Sequence, residues 1–227
     1  MEVTMASLQI VIQPELIFSL IIMTILGVAF VYAGKKVALA DATKKPKGVV
    51  LVVETGINMI YNYFKSIMPA KFEKNYYPYF AMLFCYLFIA NISGLFAFDS
   101  PTSNYSITLT MTFITFALIQ YNAFKKKGIG KYIKDIVWPP TNILSTISPL
   151  ISISFRIFGN ILSGTILMSL VYSFSGWLSG LIGSNFNFLG PVIAPLLHAY
   201  FDVFAGVIQT VVFVTLSSIL IMMENED

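Results

Sequence analysis

One arginine stands alone in a long stretch of apolar and small residues. Arg156 is the only arginine of the protein and the one formally charged residue between positions 143 and 183. Because an arginine inside a bilayer costs at least about 2.5–3.5 kcal/mol, intramembrane charges are typical of ion pathways. We therefore interpret Arg156 as a fixed positive charge beside an ion path. The alternative interpretation is a structural ion pair with Asp202.

Small and polar residues share the helical face of Arg156. They recur at spacings of three and four residues and comprise Ser152, Gly159, Asn160 and Ser163. Small side chains let a second helix approach closely, so we expect the arginine to face a protein partner or water rather than lipid. Asn160, one turn beyond the arginine, can donate or accept a hydrogen bond beside it.

A second apolar run, residues 188–223, also contains one formal charge, Asp202. His198, Asp202 and Gln209 follow at offsets of four and seven, which place them on one helical face. An intramembrane carboxylate indicates a proton or ion pathway. His198 fits either that pathway or an ordinary buried position. Because it is the only histidine, the sequence predicts no metal site.

The composition indicates an integral membrane protein. Hydrophobic residues make up 57% of the 227 residues and charged residues 11%, whereas a soluble domain has about 25% charged residues. The length suits one all-α membrane domain, residues 1–227. Cys85 has no partner for an intrachain disulfide and is interpreted as a small apolar residue. The first apolar run lacks a basic leader and is interpreted as a retained span.

Three runs have the length of a perpendicular membrane crossing, at about residues 15–34, 76–98 and 105–124. Between the first two, residues 48–68 alternate apolar and polar positions at helical spacing. The apolar positions of that segment are Val50, Val53, Ile57, Ile60 and Phe64. This pattern predicts a helix that lies on the membrane surface.

The last two runs, about 141–183 and 188–223, are too long for a perpendicular crossing. Either each breaks into two spans, or each forms one long, steeply tilted helix. No cluster of turn residues interrupts either run, so we favour two tilted helices that form a hairpin around residues 183–187. The chain is then expected to have five membrane-embedded helices.

The lysines predict the orientation of the chain in the membrane. All 13 lie in two windows, residues 35–74 and 125–134. Three spans place both windows on one side, and the positive-inside rule makes that side cytoplasmic. The N-terminus and the loop at Asp99 are then expected outside the cell, and the C-terminus inside it.

Four segments resemble one family of membrane proteins. Residues 154–164 (SFRIFGNILSG) look like the signature of subunit a of F-type ATP synthases, and residues 206–216 (GVIQTVVFVTL) resemble that family's last helix. Residues 90–95 (ANISGL) resemble the end of its second span, and residues 45–54 (KPKGVVLVVE) resemble its bacterial members. The resemblance covers essentially the whole chain.

The resemblance implies a role and a set of partners. Arg156 would be the family's essential arginine facing the rotor ring of c subunits, against which the tilted hairpin lies, with Asn160 and Gln209 as its polar neighbours. The chain would be a non-catalytic subunit with two aqueous half-channels that couple H⁺ or Na⁺ movement to ring rotation. Its partners would be the c-ring, subunit b of the peripheral stalk, the rest of the F1Fo complex and the lipid bilayer. No nucleic acid, nucleotide or cofactor is expected.

Three positions depart from the family pattern. Thr165 stands where the family commonly has glutamate or histidine, Asp202 where it commonly has histidine or glutamate, and Asn142 where an acid is common. Neutral oxygens suit a hydrated Na⁺ as well as a proton-carrying water chain, so the coupling ion stays open and Thr165 favours Na⁺. The competing function is a self-contained ion transporter or channel with its own site at Arg156 and Asp202.

Overall fold

The apolar runs form helices because a bilayer offers no hydrogen-bond partners to a free backbone. A computed structural model describes residues 13–41, 45–68, 70–96, 98, 100–181, 183, 187 and 189–226. The helices are α1 (Pro14–Ala38), α2 (Val49–Ile67), α3 (Ala70–Ile92), α4 (Tyr105–Lys127), α5 (Ile129–Val137), α6 (Thr141–Leu181), α7 (Leu189–His198) and α8 (Gly206–Glu226). The described ranges contain no strand. The predicted all-α architecture is confirmed.

Five helical segments of the described chain are long and apolar enough to cross a membrane. They are Pro14–Ala38, Tyr76–Phe96, Tyr105–Lys127, Thr141–Leu181 and Gly190–Met223. The chain is therefore a multi-pass membrane protein. The second span is α-helical to Ile92 and continues as a tighter 3₁₀-helical turn, Ser93–Phe96. Asp99, predicted in the loop that follows, lies outside the described residues.

Hydroxyl pairs join the packed helices inside the apolar region. Ser19 of α1 and Tyr86 of α3 are 2.7 Å apart through their hydroxyl oxygens. Tyr79 of α3 and Thr115 of α4 are also 2.7 Å apart. Such pairs stabilise membrane bundles because lipid cannot satisfy the hydroxyl groups.

The predicted surface segment is helix α2, and only its last turn enters the protein core. Phe64 is fully buried and stacks on Phe80 of α3 with ring centroids 5.5 Å apart. Val52 and Met59 remain exposed on the other side of α2. The helix therefore contacts α3 through one face and leaves the opposite face uncovered by the described chain.

The two long runs behave differently from each other. Helix α6 is continuous for 41 residues, through Pro149, which corresponds to about 60 Å. The second run changes at Ala199–Ala205 into a π-helical turn that joins α7 to α8. Asn187 ties the ends of the hairpin together, because its Nδ2 donates to Ser175 Oγ at 3.0 Å and its Oδ1 accepts from the Gly190 N–H at 2.9 Å.

The loop between α3 and α4 is partly packed against the protein. Ser100 is buried, and its hydroxyl donates to the Ala90 carbonyl at 2.7 Å. Phe98, two residues earlier, is 55% exposed. A cysteine introduced at position 98 should therefore be more accessible to a labelling reagent than one at position 100, and it can report on which side of the membrane the loop lies.

We expect Phe98→Cys to react with a membrane-impermeant maleimide in intact cells. Lys45→Cys and Lys126→Cys are expected to react only after the cells are permeabilised, because the positive-inside rule places both lysines in the cytoplasm. The background carries Cys85→Ser, which removes the only native cysteine. Labelling of positions 45 or 126, but not 98, from outside would contradict this orientation.

Candidate functional site

The predicted arginine face lies on the outer surface of the bundle. The side chains of Ser152, Arg156 and Ser163 are exposed, and Gly159 and Asn160 are half-buried. We call these five residues the arginine stripe. Nothing in the described part of the chain covers the exposed side chains of this stripe.

The packing of α6 explains why the arginine stripe faces outward. Ser154 and Ile157 are fully buried on another side of the helix, where α6 contacts α4 and α8. The Tyr105 ring of α4 lies 5.1 Å from the Phe155 ring and 5.4 Å from the Phe158 ring, measured between centroids. These contacts set the rotation of α6 about its axis and turn Arg156 away from the bundle.

Arg156 does not pair with Asp202. No ion pair joins them in the part of the chain that the structure describes, where the partner of Asp202 is His198. The Asp202 Oδ2 atom lies 2.6 Å from His198 Nδ1. The structure therefore does not contain the buried ion pair that was the alternative interpretation of Arg156.

The acid of the last run belongs to a chain of polar side chains. His198 Nε2 lies 3.5 Å from the Tyr172 hydroxyl of α6, so Tyr172, His198 and Asp202 form a continuous row. We call these three residues the outer polar row. Side-chain exposure is 34% for His198 and 22% for Asp202, so the described chain covers neither side chain completely. Sequence reasoning missed Tyr172 because it lies on a different helix, 26 residues before His198.

A π-helical turn and a glycine place Asp202. The residue lies within the turn Ala199–Ala205, and π turns inside α-helices are frequent at functional sites. A Cβ atom on Gly94 would lie 3.2 Å from the Asp202 carboxyl carbon and from Oδ2. The absence of a side chain at Gly94 therefore lets the end of the second span approach the carboxylate. The sequence marked Gly94 only as part of a family motif.

Asn91 holds the second span against the last helix beside this turn. Its Nδ2 donates to the Gly206 carbonyl at 3.2 Å and to Thr210 Oγ1 at 3.1 Å. Its Oδ1 accepts from the Thr102 hydroxyl at 2.9 Å. Asn91 is 2% exposed, so these bonds form inside the bundle. They fix α3 relative to the first turn of α8.

Gln209 is buried and makes no hydrogen bond to the other predicted polar residues within the described ranges. It is 7% exposed, and its Nε2 has no hydrogen-bond partner among the described residues. The face shared with Asp202 was predicted from regular α-helical rotation. Asp202 lies within a π turn, which has more residues per turn than an α-helix. Regular α-helical rotation therefore does not describe the angle between Asp202 and Gln209. No hydrogen bond joins Gln209 to Arg156 within the described ranges.

Thr165 lies outside the arginine stripe. Nine residues rotate an α-helix by about 180° beyond whole turns, which places Thr165 opposite Arg156. The residue is exposed, and its hydroxyl donates to the Ile161 carbonyl at 3.0 Å. Its oxygen lone pairs remain available to water or to a cation.

A polar recess opens near the start of α6, far from the outer polar row along the helix. Its volume is about 330 Å³. It is lined by Gln120, Lys127, Tyr132, Ile136, Asn142, Ser145 and Thr146. We call it the inner recess. Asn142, predicted near the start of the arginine helix, is one of its walls, and the Tyr132 hydroxyl donates to Gln120 Oε1.

The chain is similar in sequence to known proteins over most of its length. Residues 16–222 match the family described as ATP synthase A chain. The chain belongs to this family. The matched stretch of the ATP synthase A chain family includes Arg156, Asp202 and Gln209, so the resemblance found in the sequence motifs is confirmed.

Individual members of the ATP synthase A chain family show the same relationship. ATP synthase subunit a of Mycoplasma genitalium is 32% identical over 221 residues, which covers 87% of this chain and 74% of that protein. The protein of the same name from Streptococcus agalactiae serotype Ia is 29% identical, over 89% of this chain and 86% of its own length. The Streptococcus pneumoniae protein is 29% identical over 88% of each.

Proposed function

We propose that this chain is the stator ion-channel subunit of the Fo sector of ATP synthase. The observation that carries the proposal is the exposed arginine on a stripe of small residues, unpaired with Asp202. An arginine that faced lipid at this depth would be strongly unfavourable. A second membrane component that presents a carboxylate would satisfy it, and a rotor ring of c subunits has that chemistry.

Two separate polar regions support two aqueous half-channels. The outer polar row, Tyr172, His198 and Asp202, would receive ions from outside the cell. The inner recess at Asn142 would release them toward the cytoplasm. From Thr146 of the recess to Arg156 is ten residues, or about 15 Å along α6. Arg156 lies between the two regions along the chain, where it would keep cations from passing directly from one to the other.

The proposed mechanism is electrostatic. An ion from the outer half-channel neutralises a ring carboxylate, which then rotates through lipid. When that carboxylate reaches Arg156, the positive guanidinium favours its charged form, and the ion leaves through the inner half-channel. The membrane potential contributes about 2.3 kcal/mol per charge per 100 mV.

The subunit itself would make no covalent bond and hold no cofactor. Its role would be to hold a fixed charge and two water-accessible paths against the ring. Its other partners would be subunit b and the remainder of the F1Fo complex. Both lysine windows would face the cytoplasm, as the positive-inside rule predicts.

A comparison of the full chain alone with the assembled complex tests this function. The competing self-contained transporter needs a site of its own at Arg156 and Asp202, and no ion pair joins these two residues among the described ones. In liposomes with an imposed potential, the chain alone should carry no ion current. The complex should make ATP from ADP and phosphate. Selective ion flux through the chain alone would instead support a transporter.

We expect H⁺ to be the coupling ion. The outer polar row contains two protonatable groups in direct contact, the His198 imidazole and the Asp202 carboxyl, and either can pass a proton. Thr165 favours Na⁺ but lies opposite the arginine on α6. The measurement is carbodiimide modification of the ring carboxylate at neutral pH. Added Na⁺ should not protect it, and ATP hydrolysis should not depend on Na⁺. Protection by Na⁺ would reverse the assignment.

A further inference from the structure

The short helix α5, which follows the C-terminal end of α4, is held in a defined position. Gly128 has a φ of +76°, a left-handed backbone conformation that suits glycine, and it turns the chain from α4 into α5. Tyr132 of α5 is 7% exposed, and its ring centroid lies 4.0 Å from that of Phe124 in α4. Its hydroxyl also donates to Gln120. One face of α5 is thereby fixed to α4.

A neighbouring face of α5 is apolar and uncovered. Ile129, Ile133 and Val137 follow at spacings of four and are 68%, 52% and 54% exposed. Trp138, the next residue, is 74% exposed. Exposed apolar rows of this kind are unfavourable in water and indicate contact with a membrane or a partner. Tryptophan is enriched at the membrane–water interface.

Lysines flank the apolar row of α5. Lys125 and Lys126 at the end of α4 and Lys131 and Lys134 of α5 are all exposed, and for brevity we call these four the α5 lysines. From Lys125 to the end of α5, residues 125–137 contain five lysines and one acidic residue, Asp135. The junction of α4 and α5 therefore combines an apolar row that the described chain leaves uncovered with four exposed lysines, at the point where a membrane span ends.

We propose that α5 is an interfacial anchor that binds the phosphate headgroups of anionic phospholipids. The apolar row would enter the boundary between headgroups and acyl chains, and the α5 lysines would contact the phosphates. An acidic protein segment would match the lysines but would not cover the apolar row. A neutral bilayer surface would cover the apolar row but would not match the lysines. An anionic lipid surface matches both features. Helix α5 also lines the inner recess through Tyr132 and Ile136, but neither the apolar row nor these four lysines belong to that lining.

The two tryptophans of the chain allow a direct test. Trp138 lies at the end of α5, and Trp177 lies near the other end of α6, more than 40 residues from the nearest lysine in sequence. The full chain is reconstituted in neutral vesicles that contain a small fraction of brominated lipid, either anionic phosphatidylglycerol or neutral phosphatidylcholine. Trp177→Phe and Trp138→Phe variants report each tryptophan alone by fluorescence quenching.

We expect the anionic brominated lipid to quench Trp138 more strongly than the neutral one, with no such preference at Trp177. The attraction of one lysine to an anionic lipid surface corresponds to about a fivefold change in a binding constant. The preference should collapse at high salt, because exposed charges are screened. Lys131→Gln with Lys134→Gln should remove most of it. Lys45→Gln with Lys47→Gln, which removes the same charge from an exposed loop, should leave it unchanged.

Three results would overturn the proposal. Equal quenching of Trp138 by both brominated lipids would show no headgroup selectivity. Absence of quenching by either would show that protein, rather than lipid, covers the apolar row. Equal loss of the preference in both double variants would assign the effect to net charge. The salt measurement on the Trp177→Phe chain, which keeps every native lysine, keeps the test decisive even if a lysine variant fails to fold.

Discussion

Arg156→Ala is expected to abolish ion-driven ATP synthesis while the complex still assembles. Removing a preorganised charged group from a site that stabilises developing charge typically costs about 100-fold or more in rate. The arginine is exposed and has no ion pair with Asp202, so truncation leaves no uncompensated acid inside this chain. ATP synthesis in proteoliposomes and recovery of the assembled complex are the two measurements.

The alternative role of Arg156 predicts a different outcome. A structural buried pair would lose about 3–5 kcal/mol when one partner is removed, and the complex would fail to assemble. Arg156→Lys should not restore full synthesis, because lysine lacks the planar fork of donors and loses its charge more readily when buried. Lys45→Ala, which removes a positive charge from an exposed loop, is the matched control. Normal coupled synthesis by Arg156→Ala would refute the stator function.

Asp202→Asn is expected to reduce proton-driven ATP synthesis by about 100-fold, a size typical of losing a positioned proton-transfer group. Asparagine has the same shape as aspartate and can still accept a hydrogen bond from His198, so the π turn should be retained. The asparagine side chain cannot bind and release a proton as a carboxylate does. The measurement is ATP synthesis against an imposed pH gradient, with thermal unfolding of the complex recorded in parallel.

The control for Asp202 is another acid outside the proposed path. Glu54 is exposed on α2, and Glu54→Gln should keep wild-type synthesis. Equal loss of activity in both variants would indicate a general effect of charge. Wild-type synthesis by Asp202→Asn would remove the outer polar row from the ion path, but it would leave the role of Arg156 untouched.

The arginine stripe was predictable because α6 is a continuous helix. Residues three and four apart share a face wherever the α-helical rotation is uninterrupted, and α6 is uninterrupted from Thr141 to Leu181. The exposure of Ser152, Arg156 and Ser163 on one side follows that rule. The contact between His198 and Asp202 is also present as the spacing of four predicted, although Asp202 lies within the π-helical turn.

The relation between Asp202 and Gln209 was not predictable by the same rule. Asp202 lies within a π-helical turn that ends before Gln209. The sequence gives no sign of this turn, because no glycine or proline lies between Ala199 and Ala205. Periodicity assumes a constant rotation per residue, so it fails at such a turn. Gln209 accordingly lies buried, without a hydrogen bond to Arg156 or Asp202 in the described part of the chain.

The amino-acid sequence alone predicts a helical chain with five segments long and apolar enough to cross a membrane, two of which contain one isolated charge each. These features are predictable because composition and period depend only on neighbours along the chain. The packed bundle decides which side of α6 faces outward, and it brings Tyr172 to His198 and Gly94 to Asp202. Those relations join different helices. They depend on the relative rotation and separation of the helices. Packed side chains such as Tyr105 and Asn91 set that geometry, and the spacing of residues within one helix does not predict it.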